Sequence, residues 1–315
     1  MSVKVFIDGE VGTTGLQIKQ RLAGRDDIAL LQIDDTVRKD TEHRREMLNA
    51  ADIVILCLPD DAAREAVGLI DNPDTRVIDA STAHRTADGW TYGFPEYEPG
   101  QRELIAQSSR VANPGCYALT SVAMLHPLVK AGILDPGWPV TINAISGYSG
   151  GGKSLIAAFE DEASEDYTQA PFFAYGLTLA HKHVPEITHW SGLSHAPIFV
   201  PSVGRFAQGM IVQVPLPLWA MAGNPSPGHI HAALAKHYEG QHFVAVASPD
   251  ETAAMSQLQP ELLNGTNQLA LYVFTNEETG QAVVMGLIDN LGKGASGQAV
   301  QNLNIMIGAA EEAGL

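Results

Sequence analysis

The sequence predicts an α/β chain in two parts: a parallel-sheet domain, and an α+β domain with a mainly antiparallel sheet. Three observations lead there. Short apolar runs alternate with helix-length segments over roughly the first 80 residues. A glycine-rich turn stands at the first strand–helix junction, and after about Cys116 strand-like runs separated by Gly/Pro-rich loops dominate.

Taken in order, Val3–Asp8 is a short apolar strand, followed by Gly9, Gly12 and Gly15. Thr13 and Thr14 are cap-type residues, and Ile18 and Leu22 follow at helical spacing. Ile28–Asp34 is the next strand and Ile53–Leu58 another, continuous enough in Ile, Val and Leu to be buried on both faces of a parallel sheet. A further β segment ends at Val77–Asp79. In the second part the strand-like runs are Val140–Ile145, Ile211–Val214, Phe243–Val246, Leu269–Phe274 and Val283–Leu287. Ser296–Ala313 has helical periodicity and is expected to pack back on the first domain. The expected division is therefore 1–117 with 290–315, and 118–289.

Composition narrows the function. Among 315 residues, 36 acidic against 19 basic side chains give a net charge of −17, which excludes a protein built to hold a phosphate backbone. A small anionic substrate needs only a few local donors and stays allowed. The longest apolar run is strand-sized, far short of a membrane span. The N-terminal residues carry no signal-peptide pattern, and two cysteines make no disulfide framework, so a cytoplasmic protein is expected.

The first glycine cluster, Gly9-Glu-Val-Gly12-Thr-Thr-Gly15, follows a strand and opens a helix. Glycines there let the chain turn sharply and approach a pyrophosphate, while the helix N-terminus faces the anion. This is a Rossmann-type, dinucleotide-binding signature, with Gly9, Gly12, Thr13, Thr14 and Gly15 as cofactor contacts. Asp34 or Asp35 closes the second strand where an acid takes a ribose 2′-hydroxyl, and Arg38 and Lys39 beyond could instead take a 2′-phosphate. The residues alone leave NAD and NADP open.

Of the two cysteines, Cys57 lies inside a strand pattern and reads as core. Cys116 sits in Asn113-Pro114-Gly115-Cys116-Tyr117, ahead of a helix carrying Leu119, Val122, Leu125 and Val129 and ending at Gly132. A thiol on the first turn of a helix meets N–H groups and the positive dipole end, which favour thiolate and can hold an oxyanion. A structural cysteine at a helix start is the equal alternative. Gly147–Ser154 fits both a phosphate loop and, at Ser149, a serine-hydrolase turn, but either leaves the first glycine cluster unexplained. It reads better as a flexible loop with backbone donors, and Lys153 available for an anion. His181-Lys-His183-Val-Pro-Glu186 offers a proton donor and acceptor beside a carboxylate. No third ligand stands at metal spacing nearby, so no metal is expected.

Together these segments resemble the N-acetyl-γ-glutamyl-phosphate reductase family, in its short form. The resemblance runs through GEVGTTGL (9–16), LPDDAA (58–63), VIDASTAHR (77–85), YGFPE (92–96), NPGCYALT (113–120), SGYSGGGKS (146–154), HKHVPEI (181–187) and DNLGKGASGQAVQNLNIMIG (289–308). The longer form usually has GASGYTG and SADFR where this chain has GEVGTTG and STAHR. The resemblance implies a second domain related to aspartate-semialdehyde dehydrogenase that carries substrate and dimerisation surfaces. It also implies NADPH as reductant, an acyl-phosphate substrate, and a homodimer or homotetramer. It makes Cys116 the nucleophile and supports the pair His181 and His183 as the acid/base, of which His183 is the first choice here. Asp35, Arg38, Ser81, Gly150 and Asn290 become cofactor contacts, with Arg85, Asn113, Lys153 and Glu186 on the substrate. A related acyl-phosphate reductase, or a nucleotide-binding sensor with Cys116 as redox switch, is the rival reading.

Overall fold

The computed structural model describes residues 2–34, 36–38 and 40–315. The sequence expectations for Asp35 and Lys39 lie outside the described residues. Two compact units divide the chain, Met1–Gly115 with Ala295–Leu315, and Cys116–Gly294.

The first unit contains β1 (Val3–Asp8), α1 (Thr13–Leu22), β2 (Ile28–Leu31), α2 (Thr41–Ala50), β3 (Ile53–Leu56), α3 (Asp60–Gly68), β4 (Arg76–Asp79), β5 (Thr91–Tyr92), α4 (Gln101–Gln107) and β6 (Arg110–Ala112). Its six strands run in the order β2-β1-β3-β4-β6-β5, and every pairing is parallel. Period-two alternation feeds two apolar layers. Val5, Ile7, Ile53, Ile55 and Ile78 pack with Ile18 and Leu22 of α1, while Phe6, Val54, Leu56 and Val77 pack with Leu48, Ala63 and Ala66 of α2 and α3. Both faces are covered, as a parallel sheet requires. The second strand stops at Leu31, short of the expected Asp34, because it pairs with β1 only over Ile28–Leu31. The N-cap of α1 is Gly12, not a threonine.

The second unit contains α5 (Cys116–Lys130), β7 (Thr141–Gly147), α6 (Gly152–Glu160), β8 (Phe172–Ala174), α7 (Val184–Ser191), β9 (Ile198–Gly204), β10 (Met210–Pro217), α8 (Pro227–His237), β11 (Val244–Val246), α9 (Pro249–Ala253), β12 (Leu269–Asn276) and β13 (Gln281–Ile288). Its seven strands lie in the order β11-β12-β13-β10-β7-β9-β8. Only β11–β12 and β7–β9 pair in parallel; the rest of the sheet is antiparallel. At Gly286 of β13 helix α5 packs close, since a Cβ there would stand 2.3 Å from Thr120 Cγ2. Expected strands appear at β7, β10, β11, β12 and β13. Two strands were not expected from sequence: β8, which is only three residues long, and β9, where Pro201 argues against an interior strand although β9 lies between β7 and β8.

After a π-helical turn at Gly292–Ser296, α10 (Gly297–Ile307) belongs to the first unit. Val300 and Leu303 join the apolar layer containing α1, and Gln301, Asn302 and Asn304 are fully buried as well. Buried amides need partners. Asn302 Nδ2 donates to the Gly93 carbonyl at 2.9 Å and to Asn113 Oδ1 at 3.0 Å, and Gln301 Nε2 donates to Glu96 Oε1 at 2.8 Å.

Candidate active site

In the first unit, β1 delivers the chain to Gly9 at φ +91°, where a Cβ would stand 2.4 Å from the Cys57 carbonyl oxygen. At Gly15 a Cβ would stand 2.6 Å from the Gly9 carbonyl oxygen. The loop is thus closed tightly on itself and on β3, and only glycine fits both places. Gly12 ends the loop as N-cap of α1 with no side-chain cap, so the first-turn N–H groups are left for a ligand. Beside the loop lies a cleft of about 310 Å³ lined by Gly9, Glu10, Val11, Ile33, Arg38 and Arg44, among others. Arg44 Nη2 donates to Asp8 Oδ2 at 2.9 Å. Asp34 does not line this cleft: its exposed carboxylate accepts from Thr36 Oγ1 at 2.6 Å and Thr36 N at 2.8 Å, and these bonds hold its pKa below the ordinary value. A glycine cradle, an uncapped helix start and an arginine-lined cleft fit a dinucleotide.

Ser81 and Arg85 follow β4, and Asn113 follows β6, past the C-terminal ends of strands of the same parallel sheet. Buried Asp79 accepts from Ser81 N at 2.9 Å, Ser81 Oγ at 2.7 Å and the His84 ring at 2.6 Å. Arg85 is buried, its Nε donating to the Asn113 carbonyl at 3.0 Å and its Nη2 to the Ala80 carbonyl at 3.0 Å. Asn113 Nδ2 donates to the Ala295 carbonyl at 3.1 Å while its Oδ1 receives Asn302. These bonds fix the approach to Asn113-Pro114-Gly115.

In the second unit Cys116 is the first residue of α5 and partly exposed. Gly294 leaves room for it: a Cβ on Gly294 would stand 2.7 Å from Cys116 Cβ. Around it lie aromatic groups the sequence did not flag. Tyr117 Oη donates to Ser146 Oγ at 3.0 Å, and Tyr175 Oη donates to Tyr117 Oη at 3.2 Å. The Tyr117 ring sits 5.9 Å from His181 and 5.8 Å from His183, and the two imidazoles are 4.8 Å apart, edge to face. Burial above all, with the Cys116 charge adding, pushes the Tyr117 phenol well above the usual value. Burial likewise pushes Tyr175 up to about 12, and the Cys116 charge again adds. Both phenols therefore stay protonated near neutrality. Tyr117 had a signal, since it follows Cys116 directly; Tyr175 had none.

The remaining expected residues fall in the same unit. His183 is buried at the N-cap of α7, with Glu186 buried in its first turn. Asn290 is buried, its Oδ1 accepting from Gly209 N at 2.8 Å and its Nδ2 donating to Ser149 Oγ at 3.4 Å. Gly150 lies against it, a Cβ there standing 3.0 Å from Asn290 Nδ2. Lys153 is exposed in the first turn of α6. The start of the loop ahead of Lys153 has its donors already in use. The N–H groups of Gly147, Tyr148 and Ser149 are spent on the carbonyls of Gly209, Phe206 and Ala207 at 2.9–3.0 Å. Those donors cannot also cradle a phosphate.

Family models divide the chain as its geometry does: "semialdehyde dehydrogenase, NAD binding domain" matches residues 9–106, and "semialdehyde dehydrogenase, dimerisation domain" residues 116–290. Proteins named N-acetyl-γ-glutamyl-phosphate reductase are 53% identical to it in Trichormus variabilis, covering 99% of each chain, and in Brucella ovis, covering 98% of this chain and 100% of that one. The chain belongs to the N-acetyl-γ-glutamyl-phosphate reductase family. It is an oxidoreductase, and a nicotinamide dinucleotide is its cofactor class. The fold extends beyond the reductase family. An aspartate semialdehyde dehydrogenase II from Vibrio cholerae matches with a TM-score of 0.69 at 16% identity, covering 98% of this chain and 99% of that one. An aspartate semialdehyde dehydrogenase from Candida albicans, solved with NADP, matches at 0.65 and 14%, covering 97% and 98%.

The environment of Cys57 separates the two thiols. Desolvation, with the charges of Asp79 and Asp8, pushes it up from 9.0 to about 12. In the folded protein it should resist alkylation at pH 8 while Cys116 reacts, a difference peptide mass mapping reads directly. The sign also fixes a stability effect. The unfolded thiol ionises near 9, so stability contributed by the neutral folded thiol is full below that pH and falls as pH rises towards 12. Cys57→Ala should flatten that part of a stability–pH curve; an unchanged slope would contradict the shift.

Proposed function

We propose that this chain reduces N-acetyl-γ-glutamyl phosphate to N-acetylglutamate semialdehyde and phosphate with NADPH, a step of arginine biosynthesis in the cytoplasm. The observation that carries it is a partly exposed cysteine opening α5, backed by Gly294 and followed by Tyr117, whose ring lies 5.9 Å from His181 and 5.8 Å from His183, in a chain 53% identical to such reductases. The Cys116 thiolate attacks the acyl-phosphate carbon, phosphate leaves as the better leaving group, and a thioester remains. The N-terminal turn of α5 supports both the thiolate and the oxyanion formed on attack. When bound, the reduced dinucleotide supplies a hydride to the thioester carbon. His183, with His181 beside it, donates the proton to the resulting oxygen, after which the carbon–sulfur bond breaks and the thiol is restored. Glu186 supports that imidazole pair. Arg85 and Lys153 supply positive charge for the phosphate and carboxylate, as a planar fork and a point charge; Asn113 shapes the substrate contact. Ser81, Gly150 and Asn290 are further proposed cofactor contacts.

Arg38 and Arg44 in the cleft, with Asp34 turned to Thr36, favour NADP over NAD. The match to a dimerisation domain supports a homodimer or homotetramer. The test is to supply N-acetylglutamate semialdehyde, phosphate and either NADP or NAD. Phosphate-dependent appearance of the reduced form, faster with NADP, is the expected result. Turnover of only the free amino semialdehyde would point to an aspartate-semialdehyde-type substrate. Cofactor binding without turnover would point to a sensor.

A further inference from the structure

Asp289 follows β13 and is fully buried. Its carboxylate gathers three chain segments. Oδ1 accepts from Leu291 N at 2.9 Å, and Oδ2 accepts from Gly265 N at 2.8 Å and from Gln208 Nε2 at 2.5 Å. Its backbone carbonyl accepts from Gly294 N at 2.9 Å. The turn from Asp289 to Gly294 is therefore pinned at both ends by one residue. At its far end it meets the thiol-bearing residue, since a Cβ on Gly294 would lie 2.7 Å from Cys116 Cβ and 3.4 Å from Cys116 Cα. Asn290, next in sequence, grips the segment that Asp289 holds, accepting from Gly209 N at 2.8 Å.

We infer that Asp289 is a positioning residue for Cys116: through the Asp289–Gly294 turn it sets the surface against which the thiol-bearing side chain rests. Three N–H donors converge on two oxygens, which a carboxylate accepts and an amide cannot. In Asp289→Asn the new NH2 would face a backbone N–H whichever way the amide is turned, that of Gly265 or that of Leu291, and neither can turn away, whereas Gln208 can present its oxygen instead. The turn must then shift, and Gly294 with it. The inference deepens the thioester mechanism and rests on it for its effect on turnover; its effect on the thiol stands independently.

The experiment measures iodoacetamide alkylation of Cys116 against pH in the folded, full-length protein, with Cys57 as the internal unreactive thiol. Asp289→Asn should slow alkylation near pH 7.5 by about 10-fold and displace its pH midpoint upward, as the sulfur loses its place at the helix start. Turnover should fall by about 10- to 100-fold with KM within about twofold, the pattern of a misplaced reacting group. Adding Gln208→Glu to that variant, so that a carboxylate accepts from the newly introduced side-chain amide, should recover part of both. Gly294→Ala pushes on the same contact from the other side and serves if Asp289→Asn does not fold. Folded variants alkylated at the wild-type rate with an unchanged pH profile would overturn the inference, even if their melting temperatures fell. Should the wild type show no phosphate-dependent turnover, the reductase reading fails instead, and the alkylation result still decides the role of Asp289.

Discussion

Cys116→Ser is expected to lower turnover by about 10³-fold or more while leaving dinucleotide binding intact. A serine hydroxyl is almost wholly protonated near neutrality, and the first turn of α5 cannot ionise it as it can a thiol. The neighbouring phenols do not supply a comparable nucleophile, because Tyr117 and Tyr175 are held protonated by burial. The substitution is close to isosteric, so Gly294 still fits beside it and the helix still starts there. Stability should change by less than about 1 kcal/mol, as for a partly exposed site away from the core. Stopped-flow mixing with the acyl phosphate separates the outcomes: wild type should release phosphate in a burst on forming the thioester, and the serine variant should show none. A burst of undiminished size in the variant would remove Cys116 from the covalent step.

The sequence made some of this visible and hid the rest for identifiable reasons. The parallel sheet of the first unit was legible because Ile, Val and Leu runs buried on both faces leave an unbroken apolar signal, as in Ile53–Leu56. The glycine loop was legible because its chemistry is local: a turn, a close approach and a helix start follow one another within seven residues. Strand β9 was not, since its proline contradicts the local rule and the strand is held by its neighbours β7 and β8. The surroundings of Cys116 were hidden for a related reason. Tyr175, Ser146, Asp289 and Gly294 come from separate places in the second unit, and no spacing rule links them to a cysteine at position 116. Glycine at 294 is required by a contact 178 positions away in sequence, which no single-sequence pattern carries. The phosphate-loop match at Gly147–Ser154 could be set aside from sequence because it left the first glycine cluster unexplained, but a pattern of glycines does not reveal that the N–H groups of Gly147, Tyr148 and Ser149 are already bonded.

Gly9→Ala carries the other large expected effect, on the first unit and its cofactor. At φ +91° an alanine is strained by roughly 1–2 kcal/mol, and its methyl would lie 2.4 Å from the Cys57 carbonyl oxygen. That oxygen belongs to the backbone just past β3, so it cannot swing aside as a side-chain tip could. Relieving the clash moves the loop off the sheet, at a further cost of about 1–3 kcal/mol. Against a total of about 5–15 kcal/mol this is a severe loss, and a fall in Tm of more than about 5 °C is expected. Dinucleotide affinity should fall by more than about 100-fold, because the same shift rotates the first-turn N–H groups of α1 away from the pyrophosphate. Gly12→Ala makes the informative comparison. Its φ is −74° and an added Cβ meets only the Gly9 carbonyl oxygen, at 3.4 Å, an ordinary contact. Its Tm should therefore hold. A methyl at the N-cap would nevertheless stand where a pyrophosphate approaches the backbone, so affinity should still drop. Loss of both stability and affinity at Gly9, with loss of affinity alone at Gly12, is the pattern a dinucleotide loop requires; unchanged dinucleotide titrations for Gly12→Ala would move the binding site elsewhere.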